Sequence, residues 1–147
     1  RLISKNVPNV GLAVTIDLGE WNDIHPLNKK SVGDRLALQA EKIAYKQNVI
    51  ADGPVYESMK IEGNKIILTF KKGTDNLQPT TDLKGFSIKG KSGKYEWAKA
   101  KIEGNKVVVW NNEIKEPIAV RYDWADNPDG NLKNKSGLPS SSFTTEN

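Results

Sequence analysis

The chain contains no cysteine, one histidine, one methionine and three arginines among its 147 residues. The missing thiols exclude disulfides, thiolate metal sites and a cysteine nucleophile. They leave the compartment open, because a well-packed secreted protein can do without disulfides. With a single imidazole and no thiol, only carboxylates remain as metal ligands. Asp17, Glu20 and Asp23 follow no ligand spacing, so no metal and no cofactor is expected. No apolar run approaches the roughly 18–20 residues that span a bilayer, so no membrane span is expected. The Gly-x-Ser-x-Gly pattern of a nucleophile elbow is also absent. Of the serines, Ser31 reads as a helix cap, and Ser140-Ser141-Ser142 lies in a polar tail that reads as loose. The chain opens Arg1-Leu2-Ile3-Ser4-Lys5, without Met or an apolar leader, which suggests a fragment or a processed product. The net charge of +4 is carried mainly by scattered lysines such as Lys29-Lys30 and Lys71-Lys72. Without arginine clusters and interleaved aromatics, that charge reads as a solvated surface and not as a nucleic-acid site.

Two differently patterned halves are present. Residues 1–50 read as α/β. Leu12–Leu18 is apolar nearly throughout, as a strand covered on both faces would be. A loop, Gly19–Lys30, follows, and then a helix. Ser31 is its expected N-cap, with Asp34 completing a capping box, and its end is expected near Gln47-Asn48. Val32, Leu36, Ala40, Ile43 and Ala44 recur at helical spacing and mark the expected buried face. Arg35, Gln39, Glu41, Lys42 and Lys46 are expected to face water. One strand and one helix do not complete a doubly wound sheet, so neighbouring strands from upstream of Arg1 are expected.

Residues 51–147 read as β-rich. A near-repeat, Lys60-Ile61-Glu62-Gly63-Asn64-Lys65 and Lys101-Ile102-Glu103-Gly104-Asn105-Lys106, places Gly-Asn between strand-like runs. This is the signature of a two-residue type II′ hairpin. With further strands expected at Gly85–Lys89, Tyr95–Lys101 and Ile118–Trp124, the whole suggests about six short antiparallel strands in a β-sandwich-like region. The tail from Ala125 is expected to wrap back irregularly, anchored by Trp124 and Phe143 and frayed at its end.

The candidate chemistry centres on His25, in Asn22-Asp23-Ile24-His25-Pro26. A general base needs a pKa near working pH and a partner that fixes its ring, and an imidazole beside a carboxylate offers both. The loop follows a buried strand, where α/β folds place their sites. His25 and Asp23 are therefore the candidate catalytic residues. Trp21 and Asn22 are candidate substrate contacts, Trp21 as a sugar-stacking surface.

Ala13-Val14-Thr15-Ile16-Asp17-Leu18-Gly19, Asn22-Asp23-Ile24-His25-Pro26 and the run from Val32 through Gly33, Arg35 and Leu36 to Ala40 resemble the last block of the sialate O-acetylesterases. These are serine esterases of the SGNH-hydrolase fold. Gly53-Pro54-Val55-Tyr56, Leu83-Lys84-Gly85-Phe86, Val120-Arg121-Tyr122 and the stretch from Trp124 to Pro139 resemble the C-terminal region of the same enzymes. The resemblance implies hydrolysis of O-acetyl esters on sialic acid or a related glycan, with a serine nucleophile and oxyanion donors supplied by earlier blocks. It implies His25 as the base, in a chain inactive without its upstream partner segment. The SGNH pattern sets an Asp three residues before the His. Asn22 holds that position here, so the orienting group stays open between Asp23, another carboxylate and a backbone carbonyl. Glycan substrates of this kind imply a periplasmic or extracellular location. A non-catalytic carbohydrate-binding β module is the alternative reading of the same chain.

Overall fold

The computed structural model describes residues 2–146. Its β-rich half is built around the two Gly-Asn turns. Strand β1 (Tyr56–Glu62) turns into β2 (Lys65–Phe70), and β5 (Lys99–Glu103) turns into β6 (Lys106–Trp110). Gly63 and Gly104 take φ of 58° and 60°, while the following asparagines stay at negative φ. That is the combination a type II′ turn requires, with glycine at its first central position. The two hairpins then join side by side through β2 and β6, giving one four-stranded antiparallel sheet in the order β1-β2-β6-β5. The near-repeat is thus one sheet made of two like halves.

A second antiparallel sheet has the order β4-β3-β7-β8, from β3 (Phe86–Gly90), β4 (Tyr95–Trp97), β7 (Pro117–Tyr122) and β8 (Phe143–Thr144). The expected strand Tyr95–Lys101 is divided between the sheets. At Ala98, whose N–H donates to the Phe86 carbonyl at 3.0 Å, the chain leaves one sheet and enters the other. Alternating buried residues on β2 (Ile66, Leu68, Phe70) and β3 (Phe86, Ile88) meet Val107, Val109, Val120 and Tyr122 in one core. Phe143 links the two sheets, stacking on Tyr56 at 4.9 Å and on Tyr122 at 5.5 Å between ring centroids.

The tail is more ordered than its composition suggests. Leu132, Asn134, Leu138 and Ser140 are buried. The Ser140 hydroxyl donates to the Pro54 carbonyl at 2.8 Å, and Thr145 N–H donates to the Val120 carbonyl at 3.0 Å. Phe143 is the anchor expected of it, whereas Trp124 is more than half exposed. The reason is that the tail's carbonyls and amides lie against the core and must find partners there.

Residues 2–50 depart from expectation in three ways. Leu12–Leu18 forms no strand, only an irregular segment with a turn closed by Leu18 N–H on the Thr15 carbonyl. A strand exists only by pairing, and no described segment pairs with this one as a strand. The helix α2 (Lys29–Ile43) begins earlier and ends earlier than read: Asn28, not Ser31, is the N-cap, its side chain accepting from Ser31 N–H at 3.1 Å. Asn caps as well as Ser, and it stands at the position where the chain turns. Third, the helix docks largely through Arg35 and Gln39, with Val32 and Ile43 of the expected face half-buried. Gln39 is buried and Arg35 nearly so, while Leu36 is 56% exposed and Ala40 and Ala44 are exposed. A short helix, α1 (Leu2–Asn6), precedes this region. Among the described residues no helix is long and apolar enough to cross a membrane.

Candidate active site

The loop that carries His25 is held at both ends by polar contacts. At its start, the Asp17 carboxylate receives a two-pronged contact from the Arg35 guanidinium, at 2.6 and 3.0 Å. Lys133, from the tail, adds a third at 2.9 Å. The same guanidinium donates to the Val14 carbonyl at 2.6 Å. Burial alone would push the Asp17 carboxyl up. The hydrogen bonds and positive charges of Arg35 and Lys133 outweigh that and hold it below the ordinary carboxylate range. One helix turn on, Gln39 Nε2 donates to the Leu12 carbonyl at 3.1 Å, the Ala51 carbonyl at 2.8 Å and Asp52 Oδ1 at 3.1 Å. Lys42 also pairs with Asp52. Segments 12–14 and 51–52 lack strand partners, so their carbonyls need donors, and Arg35 and Gln39 supply them. This is why the helix turns its polar residues inward.

Within the loop, Leu27 N–H donates to Glu20 Oε1 at 2.8 Å and Asp23 N–H to the Glu20 carbonyl at 3.3 Å. His25 N–H donates to Asp23 Oδ1 at 2.7 Å. Asp23 thus fixes the His25 backbone, as an Asx-type turn does. The imidazole itself is exposed and has no hydrogen-bond partner among the described residues. Asn22 and Asp23 are exposed with it, and Trp21 is 84% exposed. The loop therefore brings all four sequence-derived candidates onto one short outward segment, braced by a partly buried ion-paired network. Ile24 and Leu27, on the same loop, are also almost fully exposed. Leu36, on the helix that follows, is also more than half exposed.

Sequence reasoning missed Asp17, Arg35 and Gln39 as the supports of the loop. Arg35 and Gln39 sit at polar helix positions, and nothing in their spacing distinguishes a buried donor from a solvated one. Among the described residues no group of three or more His, Asp or Glu side chains is arranged to hold a metal.

No protein-family model matches the chain. It is 27% identical to a curated mouse (Mus musculus) protein, a sialate O-acetylesterase, with 83% of this chain and 24% of that protein aligned. It also matches a crystal structure of a carbohydrate acetylesterase from Xanthomonas citri, at 39% identity and a TM-score of 0.84, over 88% of this chain and 31% of that one. The chain thus spans about a quarter of the curated relative's length and under a third of the solved chain. Both likenesses bear out the resemblance read from the residues: the chain is similar to the C-terminal portion of a sialate O-acetylesterase, a part of a larger esterase.

Proposed function

We propose that this chain is the part of a carbohydrate O-acetylesterase that carries the general base, and that its reaction is hydrolysis of an acetyl ester on sialic acid or a related glycan. The observation that carries the reading is His25: the only imidazole of the chain, exposed on a loop braced by hydrogen bonds and a partly buried ion pair, in a chain 39% identical to part of a carbohydrate acetylesterase. Binding the loop to a rigid support is what a proton-transferring group needs, because its efficiency depends on a fixed distance to the reacting oxygen.

In the proposed sequence of steps a serine hydroxyl from an upstream segment, on an SGNH-type scaffold, attacks the acetyl carbonyl. His25 accepts the hydroxyl proton and returns it to the departing sugar oxygen. Water then repeats the sequence, and acetate leaves. Oxyanion donors come from the same upstream segment. Asp23 acts through the loop: its hold on the His25 N–H presents the ring. Trp21 and Asn22, beside it, contact the sugar. The exposed apolar side chains Ile24, Leu27 and Leu36 are the surface on which the upstream part of the esterase packs. A periplasmic or extracellular location follows from the proposed glycan substrate, and the separate chain is inactive.

The test is acetate release from O-acetylated sialic acid, and from an O-acetylated neutral glycan, by this polypeptide joined to its upstream segment. His25→Ala is expected to lower the rate by about three to six orders of magnitude with folding intact. Unchanged activity in that variant would refute the role of His25. Full activity from the 147-residue chain alone would refute the upstream nucleophile.

A further inference from the structure

A second set of side chains, on the β-rich half, has no part in the reaction described above. Where the chain crosses between sheets at Ala98, the sheet edges leave a cleft of about 540 Å³. Phe86, Ala98 and Ala100 form part of its lining, together with Trp97 and Trp110. Trp97 is 76% exposed on a three-residue edge strand, and Trp110, half-buried, has Lys65 Nζ over its ring at 6.0 Å. Asp82, Lys84, Lys99 and Asp129 supply the polar groups. The loop that carries two of them is fixed: Asn131 accepts from Lys84 N–H at 2.9 Å and donates to the Asp82 carbonyl at 2.7 Å. Asp82 and Lys84 pair at 3.3 Å, while Lys99 and Asp129 make no ion pair among the described residues.

The exposed Trp97 stands at the edge of a cleft whose volume of several hundred Å³ suits a small ligand. The chemistry of the lining selects the ligand. The exposed Trp97 indole offers a flat apolar face to the C–H face of a pyranose ring, and carboxylates and ammonium groups satisfy its hydroxyls as acceptors and donors. Among the lining residues the two aspartates balance the two lysines, which favours a neutral glycan over an anionic one. We propose that this cleft is a neutral-glycan binding subsite, separate from the His25 loop, with Trp97 as its stacking platform and Asp129 and Lys99 as its free hydroxyl partners. The inference rests on the acetylesterase reading only in that a glycan is the substrate; the cleft then holds an unmodified stretch of that chain away from the ester.

The experiment is titration of the 147-residue chain with cellohexaose, xylohexaose, mannohexaose and sialyllactose, followed by calorimetry and by tryptophan fluorescence. Saturable binding of at least one neutral hexaose is expected, weakened about tenfold or more by Trp97→Ala and unchanged by His25→Ala. Trp124→Ala removes another exposed indole outside the cleft and is expected to leave binding unchanged. Circular dichroism confirms that each variant keeps its fold. The proposal is overturned by no saturable binding of any neutral hexaose at about 10 mM, by Trp97→Ala binding as well as the parent, or by Trp124→Ala weakening it equally. Preferential binding of sialyllactose would overturn the choice of a neutral chain. Because no acetyl group is present in these ligands, failure here leaves the His25 experiment untouched. Loss of the His25 reading likewise leaves this binding result standing.

Discussion

Asp123 offers the sharpest quantitative test of the structure. It follows β7, is only 4% exposed, and takes a left-handed φ of 48°. Neither carboxylate oxygen has a hydrogen-bond partner of good geometry among the described residues. Burial pushes its carboxyl from an ordinary 3.8 up to about 6; the nearby Tyr122 hydroxyl and Gly130 N–H offset only part of that, and the charge of Asp129 adds to it. A rise of this size favours the protonated form by about 3 kcal/mol at most. Between about pH 4 and pH 6 the folded chain therefore binds more protons at Asp123 than the unfolded chain does. Stability from this group is present below that window, falls as pH rises through it, and stays low above it. Asp123→Asn keeps the shape, cannot ionise, and suits a left-handed backbone position. Urea unfolding followed by tryptophan fluorescence should find the variant more stable than the parent by about 1–3 kcal/mol at pH 7.5, with the advantage shrinking toward zero near pH 4. Taking the difference between the two proteins cancels Asp17, whose lowered pKa acts in the opposite direction as pH falls. A difference that does not vary with pH would refute the argument. So would a variant less stable than the parent at pH 7.5.

Two further outcomes test the packing that supports the His25 loop. Gln39→Ala leaves the Leu12 and Ala51 carbonyls without their donor, and is expected to cost about 1–3 kcal/mol. Hydrogen exchange should speed up in α2 and residues 51–52 while the β-sheet core is unchanged; equal exchange in both proteins would show that Gln39 does not hold the helix. Gly53→Ala would set a Cβ 2.0 Å from the Pro139 carbonyl oxygen, a backbone atom that cannot swing aside. A loss of about 1–3 kcal/mol or more in thermal or urea unfolding is expected, and unchanged stability would mean that the segments do not approach so closely.

Much of the β-rich half was legible in the residues themselves. Lys65–Phe70 and Lys106–Trp110 alternate or run apolar between turn residues, and both are strands over those same bounds. Gly63-Asn64 and Gly104-Asn105 fixed their own turns, because only glycine takes the first position of a type II′ turn without strain. These are local properties, set by side-chain alternation and backbone freedom within a few residues. The position of His25 in an exposed loop was equally readable, since Pro26 and the polar residues around it favour no regular element.

Partnership was not readable. Leu12–Leu18 has the composition of a buried strand, yet a strand forms only beside another strand, and among the described residues the Leu12 and Val14 carbonyls find side-chain donors instead. The periodicity of α2 correctly marked a helix, but not the side that docks. An apolar stripe at Leu36, Ala40 and Ala44 stays in water, while Arg35 and Gln39 go inward because unpaired carbonyls and the Asp17 carboxylate lie there. The cleft lined by Trp97 and Trp110 is likewise a tertiary product: thirteen positions apart in sequence, the two residues line one cleft where the chain changes sheets at Ala98. The amino-acid sequence by itself determined the turns, the strand runs and the lone histidine's loop. Which faces were buried, and which groups were brought together, depended on contacts between distant segments and was decided only by the tertiary structure.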